Sequence, residues 1–290
     1  MKKIGAILSL ILLGLPTGAR AQLLPPNQAG VTMGHVHLTV RDVEANKKFW
    51  TLLGGTPLKI DGTEVVKFPG VFVFLTPGTP LVGGGPPANL QVICGCPSDG
   101  FEPSVVNHLG FLVKNWDEHM AKFQAAGLTM KGIPGGGRRQ ILIFSPDNVT
   151  LEMAENKSLA VPVGDQHFHI FAPAFLPEFP HRVVAFTMLA WYADRFGAKL
   201  PSGGNVLGEI PGANMRFSPT PLPTAPTKGR AVDHIGFEVK DLEAFSKKLE
   251  AGGTKLDKPY SKTRHDGFAS VELTDPWGIS LELTEGLNRF

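Results

Sequence analysis

Apolar and polar positions alternate along Gly34–Ala45, "GHVHLTVRDVEA", the pattern of a half-buried strand. Residues two apart in a strand point to one face, so Val36, Leu38 and Val40 form an apolar back. His35, His37 and Thr39 share the front. The period then lengthens to that of a helix, with Ala45, Phe49 and Leu52 on one side before Gly54. A strand followed at once by a helix is the predicted unit.

That unit recurs at "NHLGFLVKNWDE" from Asn107, "QHFHIFAPAF" from Gln166 and "DHIGFEVKDLEA" from Asp233. Trp116, Met120 and Phe123 give the second helix its apolar face before Gly127; Leu242, Phe245 and Leu249 give the fourth its face before Gly252. In the third repeat an insertion, "PAFLPEFPHRVV", precedes the helical run "AFTMLAWYADRFG". About three strand-like stretches follow each helix. Their endings sort the repeats into two kinds. The odd repeats share "FPGVFVFLTPGTPL" from Phe68 and "IPGANMRFSPTPLP" from Ile210. The even repeats share "FSPDNVTLEM" from Phe144 and "LTDPWGISLEL" from Leu273. Proline- and glycine-rich crossings, "PGTPLVGGGPP" and "PTPLPTAPTKGR", follow the odd repeats, and "NKSLAVPVG" divides the two pairs.

Taken together, "HVHLTVRD", "HLGFLVKN", "HIGFEVKDLEA", "SPDNVTLEM" and "DPWGISLEL" resemble the vicinal oxygen chelate superfamily. That group includes glyoxalase I, bleomycin-resistance proteins and extradiol dioxygenases. The resemblance covers nearly all of the chain beyond its first residues. It implies an α+β fold of four βαβββ modules, paired into two glyoxalase-like domains at residues 30–156 and 164–287. Their curved sheets would enclose two clefts.

Composition agrees with packed domains: 42% of residues are hydrophobic and 19% charged. Residues 1–21 differ. A basic "MKK", the apolar "IGAILSLILLGL" and the ending "TGARA" read as a signal peptide cut before Gln22. The apolar run is short for a membrane span. A periplasmic or secreted location is expected, with no membrane span after cleavage. Cleavage takes Lys2, Lys3 and Arg20 from the 28 basic residues, leaving 25 against 26 acids. A chain so near neutrality, with no basic block, gives no electrostatic basis for nucleic acid. Cys94 and Cys96 in "VICGCP" are too close for an unstrained bridge and read as small strand residues.

The chemistry sits at the module starts and ends. His35, His108, His167 and His234 occupy one position in all four modules. Two positions on, odd modules carry His37 and His169, where even modules carry Gly110 and Gly236. Only even modules supply an acid on the last strand, Glu152 and Glu282; the odd counterparts are Leu75 and Phe217. Any odd–even pairing therefore yields two histidines and a glutamate. Neighbouring modules would give His35, His108 and Glu152, and His167, His234 and Glu282. Pairing first with fourth and second with third also completes both sets. Two imidazoles and a carboxylate with open positions suit a divalent ion: Fe2+, Mn2+, Ni2+, Co2+ or Zn2+. The resemblance places ligands at these same positions.

Such an ion would hold a substrate through oxygens on adjacent carbons, and a nearby base would decide the reaction. His265, seventeen residues before Glu282, matches a histidine of extradiol dioxygenases. Glu272 stands where those enzymes carry a tyrosine, which points away from ring cleavage, and glutamates move protons elsewhere in the family. His37 and His169 would contact substrate or support the ligands. His119 and His181 read as peripheral, and "GGGRRQ" lacks the context of a phosphate loop. The expectation is an exported metal-dependent lyase, isomerase or dioxygenase acting on a small molecule. A sequestering protein of the bleomycin-resistance type is the alternative, and a homodimer is open.

Overall fold

The computed structural model describes residues 23–81, 103–133, 137, 139–173, 181–200, 207–220, 224–262 and 268–290. The expected signal peptide, Cys94, Cys96 and His265 lie outside them. Each repeat opens on the strand its alternation predicts: β1 (Val31–Val40), β5 (Val106–Val113), β9 (Val163–Pro173) and β12 (Val232–Val239). Four helices follow these strands: α1 (Val43–Leu52), α2 (Trp116–Ala125), α3 (His181–Phe196) and α4 (Leu242–Ala251). Aspartates in "RDVEA" and "KDLEA" start two of them, since Asp42 accepts from the Ala45 N–H at 2.9 Å and Asp241 from Ala244 at 3.1 Å. Helix α3 begins at His181, four residues before the run read from the apolar pattern.

Short strands complete each module. The first has β2 (Thr56–Ile60), β3 (Thr63–Phe68) and β4 (Val71–Pro77); the second has β6 (Met130–Gly132), β7 (Gln140–Phe144) and β8 (Thr150–Glu155). Among its described residues the third has β10 (Leu207–Ile210) and β11 (Ala213–Thr220), plus a single bridge between Lys199 and Glu209. The fourth has β13 (Lys258–Ser261), β14 (Ala269–Thr274) and β15 (Ser280–Glu285). Between β2 and β3 the two-residue turn Asp61-Gly62 has φ of 47° and 81°, the left-handed pair that matches strand twist.

Sheet pairing joins modules from opposite halves of the chain. One sheet runs β13-β14-β15-β12-β1-β4-β3-β2, and the other β10-β11-β9-β5-β8-β7-β6. The first therefore combines modules one and four through antiparallel β1 and β12; the second combines two and three through β5 and β9. Halves 30–156 and 164–287 each send one module to each sheet.

Apolar packing runs the other way and ties sequence neighbours together. The Phe111 ring lies 5.9 Å from Trp50 and 5.2 Å from Phe68, joining modules one and two. Buried Asp147 adds bonds from Arg41 and Asn46. Phe196 lies 5.4 Å from Phe237, and the Tyr192 hydroxyl donates to Asp275 at 2.9 Å, joining modules three and four. Val36, Leu38, Val71 and Val73 fill the core side of the first sheet. Its other side carries a smaller apolar cluster that includes Val65, Phe72, Phe74 and Phe268. Among the described residues, no helix is long and apolar enough to cross a membrane.

Candidate metal centres

The centre of the first sheet gathers four titratable side chains. Antiparallel register sets His37 opposite His234 and His35 opposite Gly236, and Gly236 in turn lies beside Glu282 on β15. Glu282 Oε2 is 3.0 Å from His35 Nε2 and 3.3 Å from His234 Nε2. One ligand atom each from His35, His37, His234 and Glu282 falls within 4.8 Å of all the others. His234 donates its Nδ1–H to Asp233 at 2.6 Å, which turns the Nε2 lone pair toward Glu282 unless a proton intervenes. A lone pair facing a carboxylate is repulsive without a cation between them. The 3.0 Å approach of His35 is out of line for a hydrogen bond. Both its ring nitrogens, and His37 Nδ1, are buried without a hydrogen-bond partner among the described residues.

The second sheet gathers a related set, in which His108, His167 and His169 each bring one donor atom within 4.8 Å of the others. His108 Nε2 lies 3.2 Å from Glu152 Oε2, 3.2 Å from His167 Nε2 and 3.2 Å from His169 Nδ1. His167 Nε2 is 3.8 Å from the same glutamate oxygen. His108 Nδ1 sits 2.6 Å from Asn107 Oδ1, the counterpart of Asp233.

The alternation of His-x-His with His-x-Gly has a steric cause. A Cβ on Gly236 would lie 2.0 Å from His35 Cε1, and one on Gly110 would lie 2.0 Å from His167 Cε1. The odd-module imidazole occupies the space above the even-module glycine, so a side chain there would expel the ring. Asp233 and Asn107 have a different origin. The pairing skips them, with His37 opposite His234 but Leu38 opposite Val232, and Val106 opposite Ile170 but His108 opposite His169. Each is the extra residue of a β-bulge, which re-aims its side chain toward the adjacent histidine.

Charge follows burial and partners. Burial lowers His35 below the ordinary histidine range and drives His37 down to about 3, His167 to about 2 and His169 to about 3. Burial alone would raise the glutamates, but the imidazoles beside them outweigh it. They hold Glu282 well below its usual range and Glu152 at about 2. Burial also presses His234 down, yet Asp233 and Glu282 together raise it. The neutral imidazoles of His35, His37, His167 and His169 beside ionised carboxylates are donors of the kind a divalent cation takes.

Residues 185–283 match the model of the Glyoxalase/Bleomycin resistance protein/Dioxygenase superfamily. This segment belongs to the vicinal oxygen chelate superfamily. It contains His234, Glu272 and Glu282 and begins after β9. No curated protein matches the chain by sequence. Glyoxalase I from Zea mays superposes with a TM-score of 0.60 at 13% identity, covering 88% of this chain and 92% of that one. A candidate dioxygenase from Bacillus subtilis gives 0.57 at 13% identity, covering 88% and 84%. At such identities the likeness is one of fold, and it extends the vicinal oxygen chelate architecture over most of the chain.

Within that fold, the sets expected from neighbouring modules do not form. His35 meets His234 and Glu282, while His108 meets His167 and Glu152, because β1 pairs with β12 and β5 with β9. Glu272 lies directly opposite Glu282 on β14, so both share the site face. Its carboxylate is bound by Lys258 at 2.6 Å and Lys228 at 3.1 Å, and Lys228 also reaches Asp233 at 3.8 Å. His119 is buried on α2 and bonded to the Asn115 carbonyl. The sequence pattern did not single out Asp233, Asn107, Gly110 or Gly236 as parts of the centres.

The two centres differ in their surroundings. Phe72 and Phe74 lie beside His35 and His37, with Phe74 stacked on His37 at 5.6 Å. The corresponding strand of the second centre presents Asn214 and Arg216, and Arg216 comes within 3.6 Å of Glu152. Gln140 also donates to Glu152 at 2.7 Å, and Leu142 takes the place of Glu272.

Proposed function

We propose that this protein is a divalent-metal-dependent enzyme whose first centre acts on a small molecule with oxygens on adjacent carbons. The convergence of His35, His234 and Glu282 carries the reading: both nitrogens of buried His35 lack a hydrogen-bond partner among the described residues while its Nε2 and that of His234 close on one ionised carboxylate. Imidazole and carboxylate donors suit Fe2+, Mn2+, Co2+, Ni2+ or Zn2+. Once bound, the ion supplies Lewis acidity toward both substrate oxygens.

The chain's own residues do the rest. Asp233 fixes the tautomer and orientation of His234 through a 2.6 Å bond. Glu272, on the same face as Glu282, is the group placed to take a proton from substrate carbon and return it. Lys228 and Lys258 hold that carboxylate in position. Phe72 and Phe74 form an apolar wall for the carbon skeleton and limit water near the histidines. Proton transfer of this kind is lyase or isomerase chemistry; a dioxygenase would consume oxygen instead.

A second reading applies to the second centre. Without a counterpart of Glu272, and with Arg216 and Gln140 on its glutamate, that centre fits ligand holding without turnover. The leader further supports export to the periplasm or medium, tested by an intact mass that begins near Gln22.

The test is elemental analysis of protein purified without chelators, together with reloading of the metal-free form. At least one divalent ion per chain is expected. Protein that carries no ion and takes none up on reloading would refute the reading.

A further inference from the structure

Two histidines have no assigned task beyond lying near the ligands. His37 and His169 sit two residues beyond the common histidine, at the position where even modules require glycine. Each is anchored in the same way. His37 Nε2 is 2.6 Å from Thr76 Oγ1, and His169 Nε2 is 2.7 Å from Ser218 Oγ. In the parallel ladders, His37 pairs with Phe74 and His169 with Arg216, so both hydroxyls come from the residue two further along the neighbouring strand. The anchor is thus built twice, once with threonine and once with serine.

With Nε2 bound to the hydroxyl, Nδ1 of each ring faces inward. Nδ1 of His37 is buried with no hydrogen-bond partner among the described residues, and the His37 ring supplies one donor atom to the 4.8 Å group with His35, His234 and Glu282. Nδ1 of His169 lies 3.2 Å from His108 Nε2, and the three histidines His108, His167 and His169 each bring one donor atom within 4.8 Å of the others. A substrate contact would not need a nitrogen packed this tightly among other donor atoms.

Resting on the metal reading above, we infer that His37 and His169 are protein ligands through Nδ1, each oriented by a hydroxyl of the neighbouring strand. The first centre is then three histidines and one glutamate, the second three histidines with Glu152 beside His108 and His167, and the acid missing from the odd modules at Leu75 and Phe217 is replaced by a histidine from their first strand. Thr76 and Ser218 are positioning residues. Each accepts the Nε2–H and so fixes the tautomer that leaves Nδ1 free to bind.

The inference is tested with Co2+ alone on purified protein. A histidine bound through one nitrogen and protonated at the other gives one exchangeable, hyperfine-shifted N–H resonance in the proton NMR spectrum. Three such resonances are expected per occupied centre. His37→Ala and His37→Gln should each remove one and weaken Co2+ binding, measured against a competing chelator, at least as far as losing a supporting residue does, about 10–100-fold. His169→Ala should do the same at the second centre. Thr76→Val should keep the resonance but speed its exchange with water. Circular dichroism checks that the variants fold, and the glutamine variant retains bulk if alanine does not. Two resonances per centre in the parent protein, or unchanged affinity and resonance count in the folded His37 variants, would overturn the inference and leave the three-ligand centre standing. A parent protein that binds no Co2+ would overturn both.

Discussion

Replacing Gly236 with alanine isolates the steric logic of the first centre. The added Cβ would lie 2.0 Å from His35 Cε1 and 2.1 Å from its Nδ1, closer than real side-chain carbons approach. His35 has nowhere to retreat. Its residue is 1% exposed, with the Phe74 ring 4.9 Å away on one side and His234 at 5.5 Å on another. Overpacking of this kind costs about 1–3 kcal/mol. At roughly 2–4 °C per kcal/mol for a chain of this size, the melting temperature should fall by about 2–12 °C. Gly236 is not among the positive-φ glycines, so the penalty is not a backbone one. Without the clash, glycine to alanine would be neutral or slightly stabilising, by about 0.4–1 kcal/mol. Gly132→Ala provides that control, because nothing lies within 4 Å of its Cβ position. The His35→Ala/Gly236→Ala double variant should recover stability relative to Gly236→Ala, giving a favourable coupling of about 1–3 kcal/mol, while Co2+ binding at this centre stays lost. Calorimetry and Co2+ titration read both effects. A Gly236→Ala protein that melts at or above the parent and binds Co2+ equally would refute the reasoning.

Three further outcomes follow from the same structure. His234→Ala or Glu282→Ala should lower metal content by one ion per chain, whereas Glu272→Ala should retain the ion and slow turnover about 10²–10⁴-fold; loss of metal from the Glu272 variant would move that residue into the ligand set. Arg216→Met should tighten Co2+ binding at the second centre several-fold by removing a cation that competes for Glu152, and titration showing weaker binding would contradict the assigned competition. Glu238 gives a pH dependence of its own: burial pushes its carboxyl from 4.5 up to about 7, although the Gly286 and Leu287 N–H groups and the Thr284 hydroxyl oppose this. The folded state thus holds that proton more tightly than the unfolded one. Its contribution, at most about 3 kcal/mol, is full below pH 4.5 and lost as pH rises to about 7. Glu238→Gln should flatten the fall in melting temperature between pH 5 and 8, and an unchanged slope would reject the assignment.

Local pattern determined much of this protein. Periods of two and 3.6 residues set the opening strands and three of the helices, because alternation and helical phase are short-range properties of one segment. The aspartates of "RDVEA" and "KDLEA" mark helix starts through contacts three residues long. Repetition of histidine at one module position, and of glutamate in even modules alone, made the ligand types legible. Which ligands meet was not legible, because every odd–even pairing completes a set, and the choice rests on β1 joining β12 across some two hundred residues. The face of Glu272 was likewise open. Alternation gave its phase along β14, but only pairing with Glu282 put that phase at the site. Asp233 and Asn107 were hidden for a further reason. Strand periodicity sends residues next to a ligand to the opposite face, and only the bulges formed when two strands pair bring them back. The glycines of His-x-Gly carry the same lesson: their lack of a side chain answers an imidazole that arrives from another module, through a contact that exists only once the sheet is built.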